Sequence, residues 1–430
     1  MKITPYIQNT NGPLSQMQED ALAIFGAAVT KCNPFDSTCK ALLETDAEKI
    51  RFVLSIGKAA VPMMQAAYHV FGAKNIREAV LVTKYDHLDG FHADNCICFE
   101  AGHPISDENS VKAAEYVLER TANLSAEDVC IVLISGGGSA LFETSLIDAQ
   151  KQREITDILL KSGADIYEIN CVRKRLSAVK GGRLAAHMHP AKVLTFALSD
   201  VPGSRPDVIA SGPTQADRFP DEEFYRIVDR YHLNIDGVLN NIPPKAELPE
   251  DTHFRVVGDM RMLCLYAGKE AENRGYTFHP LQDMLNDDAE VVAGGTIRSA
   301  LSFTEHCIGK RAYICGGEPS VCVRGKGKGG RSQQAALRAA LELDGIKNVV
   351  FLAGGSDGTD GPTDAAGGIV DGRTAAKMRR NGIDAELYLA NNNAYPALQS
   401  SGALLMTGPT GTNVNDLFIL LIEKEIPCNP

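Results

Sequence analysis

At 430 residues the chain is longer than one ordinary hydrophobic core supports, so two domains are expected. Its 44% hydrophobic and 23% charged residues are those of a globular protein, and no apolar run approaches the roughly 20 residues of a membrane helix. A net charge of −11 argues against nucleic acid as a partner, while leaving room for small anions in a local basic cleft.

The first twenty residues, MKITPYIQNTNGPLSQMQED, lack the apolar core of a signal peptide, and a cytoplasmic protein is expected. Apolar residues at Leu14, Met17, Ala21, Ile24, Phe25 and Ala28 mark a helical stripe over Leu14–Lys31. Phe52–Ile56 reads as a strand ending in Gly57-Lys58, followed by strands at Glu78–Thr83 and Asn95–Phe99 and a helix over Val111–Asn123. Val129–Ile134 is an aliphatic run of the kind buried on both faces of a parallel sheet. It ends in Ser135-Gly136-Gly137-Gly138-Ser139, and Ala140, Leu141 and Phe142 can start a helix. A helix over Lys151–Ser162 and a strand over Ala191–Leu198 continue the alternation, which implies βαβ units.

The composition shifts over 217–251, with Asp236-Gly237 and Pro243-Pro244, and a domain boundary is expected near its end. The second half restarts with Phe254–Val257, a helix through Ala271, and strands at Tyr276–His279, Arg311–Cys315, Val349–Ala353, Ala403–Met406 and Leu417–Leu421. The expected fold class is therefore α/β with two domains, each a mostly parallel sheet flanked by helices. The eleven cysteines are dispersed without C-x-x-C or zinc-finger spacing, as expected of reduced thiols.

Glycine-rich turns at strand ends are the chemical theme. Strand, glycine turn and helix start together make a seat for anionic oxygens. Besides Gly136–Gly138 there are Gly316-Gly317-Glu318, Gly325–Gly330, Gly354–Gly361 and Thr407–Asn413. None is a Walker A loop, and Leu141 spoils a G-x-G-x-x-G match. A turn without a ligand is the plain reading of any one of them; the recurrence favours a ligand.

Charges interleave with these glycines. Lys58 and Arg331 each follow a strand or glycine loop at a helix start, against the helix dipole, which favours an anion-binding role. The basic run Arg173, Lys174, Arg175, Lys180 and Arg183 reads at least in part as a solvated helix face. Asp200, Asp357, Asp360 and Asp364 follow strand ends, as does Glu318; turn chemistry suffices for Asp364, and the two readings are close for Asp200 and Asp357.

The blocks SGGGSALFE, VRKRLSAVKGGRLA, SDVPGSRPDVIASGPT, GGEPSVCVRGKGKGGRSQQ, AGGSDGTDGPTDAAGG and TGPTGTNVNDL together resemble the ATP-dependent glycerate 2-kinases that carry a C-terminal MOFRL domain, some of them named hydroxypyruvate reductases. The resemblance runs from about Leu14 to the end. It implies a Rossmann-like domain over 1–247, an α/β MOFRL domain over 248–430, and a site in the cleft between them. It further implies transfer of the ATP γ-phosphate to the 2-hydroxyl of D-glycerate with Mg2+. Lys58 and Arg331 correspond to the family's cleft lysine and arginine, and Asp200 is expected to orient or deprotonate the acceptor hydroxyl. Ser135, Gly136, Gly137, Gly138, Ser139, Gly316, Gly317 and Asp357 are the expected nucleotide contacts, with Glu318 and Asp357 on the metal. Two departures stand out: Asp259 where the family shows an Asn-containing turn, and Leu285–Ala289 without the usual Gly-Glu-Ala. The alternative activity is an NAD(P)-dependent hydroxypyruvate reductase, for which no complete dinucleotide fingerprint is found. No nucleic-acid or membrane partner is expected, and the oligomeric state, homodimer included, is left open.

Overall fold

The computed structural model describes residues 2–8, 13–88, 90–235, 243–281, 287–304 and 308–424. Asp236-Gly237 and Leu285-Asn286, singled out above, lie outside them. The chain divides into two compact units, Pro34–Val257 and the pair Met1–Asn33 with Gly258–Pro430. The composition shift places one boundary near the end of 217–251; the division falls at Val257 and also groups the first thirty-three residues with Gly258–Pro430.

Within Pro34–Val257 lies a six-stranded sheet ordered Cys96–Ala101, Ile76–Lys84, Ile50–Ile56, Val129–Ile134, Lys192–Leu198, Thr252–Gly258. The pairings along its first five strands are parallel. Val129–Ile134 begins and ends where its apolar run does, and its last five residues are buried. Numbered along the chain from Ile50, the strand order is 3-2-1-4-5-6, that of a doubly wound sheet. Such a sheet reverses its winding between the first and fourth strands, and ligands collect outside the carboxyl ends there. Ile56 pairs with Ile134 across that point, so the loops beginning at Gly57 and Ser135 leave side by side.

The other unit holds a seven-stranded sheet ordered Tyr6–Ile7, Leu404–Met406, Gly367–Asp371, Val349–Gly355, Asp416–Lys424, Gly309–Gly317, Thr277–Pro280. Here the expectation of a mostly parallel sheet fails. Only Thr277–Pro280 with Gly309–Gly317 is parallel; the other five pairings are antiparallel. The link from Val349–Gly355 to Gly367–Asp371 contains no crossover helix, so the second strand returns beside the first in the opposite sense. Helix Gln16–Lys31 belongs to this unit and starts with a capping box, Ser15 and Gln18 satisfying each other's backbone N–H.

Candidate active site

The winding reversal of the first unit is built tightly. Ser135 N–H donates to Ile56 O (2.9 Å), Lys58 N–H to Gly136 O (2.9 Å), and Ala59 N–H to Ser135 Oγ (3.0 Å). Gly57 has φ +119°, where a side chain is strained, and a Cβ there would meet Ser135 Oγ at 2.3 Å. The two loops therefore fix one another. Among the described residues no partner is found for the N–H groups of Gly136, Gly137 and Ser139. These are the donors an oxyanion needs.

Around this seat stand the residues that give it chemistry. A Cβ on Gly136 would lie 2.1 Å from Asp200 Oδ2, so the missing side chain is what lets that carboxylate approach. Lys58 is half-buried. His103, just past the Cys96–Ala101 strand, has its ring against Gly137; burial, then the nearby ammonium groups of Lys58 and Lys84, push its pKa down and keep it neutral near pH 7. Ser139 Oγ lies 2.9 Å from Ser211 Oγ, which donates to Asn170 Oδ1 at 3.3 Å. With the Ser211 proton committed to Asn170, the Ser139 proton goes to Ser211, and the seat presents backbone N–H groups as its donors. Ala210 and Ser211 both sit at positive φ, 49° and 62°, a strained conformation that holds Ser211 against the seat.

The basic run is not a solvated face. Lys174 and Lys180 are 2% and 1% exposed. Lys180 Nζ bonds Glu143 Oε2 at 2.6 Å and Phe142 O at 3.0 Å, just after the seat, and Ser177 Oγ also donates to Glu143 at 2.7 Å. Lys174 pairs with Asp207 (3.4 Å) and Asp217 (3.8 Å) and lies over the Phe219 ring. Burial pushes both lysines down, and their carboxylates offset part of that. The charges face inward because tertiary carboxylates receive them, which a run of like charge cannot reveal.

In the second unit Arg331 opens helix Arg331–Glu342 and is fully engaged on one side. Its Nε and Nη2 fork onto Asp416 at 2.6 and 3.1 Å, and Nη1 reaches Glu318 at 2.7 Å. Asp360 accepts from Ser332 and Gln333 N–H at that helix start (3.1 and 2.8 Å). Burial and the Asp416 charge push the Asp360 carboxyl up to about 7. Burial raises Asp416 as well, against the pull of Arg331. Asp357 adds its charge beside Asp416 and accepts from Thr359 N–H at 3.0 Å through Oδ1.

The remaining glycine loops are different in kind. Arg324, Gly325, Lys326 and Lys328 give their N–H groups to the side chains of Asn391, Asn392 and Asn393, and Gly327 to Asn391 O. Gly355, Ser356, Gly358 and Thr359 are likewise engaged. Gly316 and Gly317 end a strand, paired with Leu417 and Asp416, and the missing Cβ of Gly316 makes room for Met260 and Cys264. Asp259 caps helix Met260–Asn273, accepting from Met262 N–H, and Asp364 accepts from Tyr395 Oη. Lys58, Asp200 and the Gly136–Ser139 turn thus share one end of the first sheet, while Arg331, Glu318 and Asp357 cluster in the second unit. Sequence reasoning missed His103, Asn170, Ser211 and Asp416; only His103, directly after a strand, carried a signal in its position.

No group of three or more His, Cys, Asp or Glu is arranged to hold a metal ion among the described residues, and no described helix is long and apolar enough to cross a membrane. Magnesium carried by a nucleotide needs only one or two carboxylates, with phosphate oxygens and water for the rest. Asp357, partly exposed and with only one oxygen engaged, fits that need; Glu318 is already held by Arg331.

Residues 20–242 match the family described as a domain of unknown function, DUF4147, and residues 311–416 match the MOFRL family. The D-glycerate 2-kinase of Thermotoga maritima is 44% identical over 86% of this chain and 90% of its own length. A putative hydroxypyruvate reductase of Agrobacterium vitis is 36% identical over 86% and 98%. The crystal structure of glycerate kinase from Thermotoga maritima superposes with a TM-score of 0.89 at 42% identity, covering 94% of this chain and 99% of that one. Sequence, fold and domain content agree: the chain belongs to the glycerate 2-kinase family, a DUF4147 domain followed by a MOFRL domain.

Proposed function

We propose that this chain is an ATP-dependent glycerate 2-kinase, transferring the γ-phosphate of ATP to the 2-hydroxyl of D-glycerate to give 2-phosphoglycerate and ADP. The observation that carries the reading is the seat at the winding reversal, where three backbone N–H groups without partners among the described residues stand beside Lys58 and Asp200. Phosphoryl transfer asks a protein mainly to position and neutralise anionic oxygens, and this arrangement suits that task. The N–H groups of Gly136, Gly137 and Ser139 hold phosphate oxygens, and the Lys58 ammonium balances their charge. Asp200 orients the acceptor hydroxyl and takes its proton as the oxygen attacks phosphorus. Neutral His103 donates to, or accepts from, an acceptor oxygen.

Arg331 is assigned to the transferring phosphate or the glycerate carboxylate. Three of its five N–H groups are engaged with Asp416 and Glu318, which leaves two for a ligand and fixes the plane of the fork. Asp357 and, less freely, Glu318 would hold Mg2+, whose contribution when bound is to neutralise charge on the phosphates. The family's reductase names point to a second reading, hydride transfer to hydroxypyruvate. The glycine turn at the winding reversal lacks the dinucleotide fingerprint, which favours the kinase.

The test is ADP release from ATP and D-glycerate at millimolar substrate, with phosphorus NMR of the product. A resonance of 2-phosphoglycerate is expected. No ADP, together with oxidation of NADH or NADPH by hydroxypyruvate, would replace this reading with the reductase.

A further inference from the structure

The carboxyl end of strand Ile76–Lys84 borders the seat on the side away from Asp200. Gly57 N–H donates to Val82 O at 3.0 Å, so the loop carrying Lys58 leaves beside this strand's end. Lys84 is the last residue of the strand. Two positions beyond Val82, it falls on the face of the sheet where Val80 and Val82 pack with Ile56, Ile134 and Leu141, the last from the short helix that opens at the seat. Lys84 pairs in register with Ala101; His103, two residues further, has its ring against Gly137 and Lys58 and Lys84 as its cationic neighbours. This rim is cross-braced. Tyr85 Oη donates to Asp107 Oδ2 at 2.6 Å, Asn109 Nδ2 to Tyr85 Oη at 3.2 Å and to Glu100 O at 2.9 Å, and His87 N–H to Glu100 Oε1 at 3.3 Å.

The Lys84 side chain takes no part in this bracing. It is half-buried, and among the described residues its ammonium has no hydrogen bond and no ion pair, because Glu100 and Asp107, the carboxylates that tie the rim together, are taken by other donors. Position adds to this. Ile76–Lys84 is the second strand of the 3-2-1-4-5-6 order, which a dinucleotide enzyme ends in a carboxylate for a ribose hydroxyl; a basic residue there accommodates a phosphate instead. Lys58 and the open N–H groups of the seat already select for anionic oxygens, and Lys84 carries that selection one strand outward. A cation mounted on a braced frame loses little freedom when its anion arrives. We propose that Lys84 is a binding residue for an anionic oxygen of a reactant on the seat, reaching it from the side opposite Asp200. It rests on the kinase reading for the identity of that oxygen, on an ATP phosphate or the glycerate carboxylate, and not for its existence.

The experiment compares the wild type with Lys84→Met, which keeps the stem and removes the charge, and Lys84→Arg, which keeps the charge. Lys74→Met is the control, since Lys74 is exposed in the turn before the same strand, at the end far from the seat. KM is measured for ATP and for D-glycerate separately, and thermal unfolding is followed with and without inorganic pyrophosphate or D-glycerate. For Lys84→Met the expected result is a KM raised at least about tenfold for one reactant, the other within about twofold, and loss of the matching ligand-induced rise in Tm, with the unliganded Tm within about 2 °C of wild type. A rise confined to ATP and pyrophosphate identifies the phosphate; one confined to D-glycerate identifies the carboxylate. Lys84→Arg should recover most of the loss, and Lys74→Met should match the wild type. Lys84→Gln carries the comparison should Lys84→Met fail to fold. Unchanged KM values, or a lowered kcat with both KM values unaltered, overturn the proposal, as does an equal rise of KM in Lys74→Met, which would trace the effect to net charge. If the wild type lacks kinase activity, the kinase reading fails by itself. The ligand shifts then decide: loss in Lys84→Met upholds the anion site, while retention, or no shift in the wild type, overturns it.

Discussion

Replacing Lys180 by Met should expose how much the seat depends on the buried pair behind it. The methionine fills the space of the alkyl stem but leaves Glu143, 5% exposed, with Ser177 as its remaining donor, and deprives the Phe142 carbonyl of a partner. Breaking a buried ion pair from one side costs about 3–5 kcal/mol, because the surviving charge stays desolvated. For a unit of this size, each kcal/mol lowers Tm by about 2–4 °C, so the first unit should melt on the order of 10 °C earlier. Scanning calorimetry of the full chain reads this directly. The control is the double variant Lys180→Met with Glu143→Leu, which removes both charges and should recover most of the loss. A single variant melting within about 2 °C of wild type, or a double variant no better than the single, would refute a desolvated pair at this position.

Three further outcomes follow from the same geometry. Gly136→Ala sets a Cβ 2.1 Å from Asp200 Oδ2, so the carboxylate must move; steady-state kinetics should show kcat reduced about a hundredfold with Tm little changed, and near-normal turnover would separate Asp200 from the reaction. Lys58→Ala, which breaks no ion pair among the described residues, should cost about a hundredfold or more in kcat/KM while leaving the urea midpoint unaltered, unlike Arg331→Ala, which would strand the buried Asp416 carboxylate. The Asp360 carboxyl is held protonated up to about 7 in the fold, against 3.8 for the unpaired group, so its contribution is full below about pH 4 and is lost as pH climbs to 7. Urea midpoints between pH 5 and 8 should fall more steeply for the wild type than for Asp360→Asn, by at most about 1.4 kcal/mol per pH unit, and parallel curves would contradict the assignment.

How far the chain could be read beforehand depended on whether the signal was local. Val129–Ile134 was found with its limits because six apolar residues between Asp128 and the Ser135-Gly136 turn permit little else, and the first helix because its apolar stripe is regular. The direction of the second sheet was not legible, since Asp416–Lys424 inserts between Val349–Gly355 and Gly309–Gly317, a pairing between distant segments that no short-range pattern encodes. Lys174 and Lys180 were misread for a related reason: their carboxylates come from Asp207, Asp217 and Glu143, on other elements. Glycine turns looked alike in the sequence, yet three asparagines at 391–393 occupy the N–H groups of one and leave those of Gly136–Ser139 alone. The seat was visible; what distinguished it from its imitators was not.

The membership of Met1–Asn33 bears on how the molecule is made. Asp20, on the first helix, finds its partners in Arg274 (2.9 Å) and Tyr276 (3.0 Å), and Cys32 O receives Thr412 Oγ1 at 2.9 Å. A ribosome adding about 5–20 residues per second delivers those partners tens of seconds after the helix has emerged. During that interval Pro34–Val257 has every strand of its own sheet except the end of the last, and can close on itself while the leading helix still carries an uncovered apolar face. A segment synthesised before Pro34–Val257 is thereby buried after it, and a ribosome stalled before Thr412 leaves its apolar face open to a chaperone.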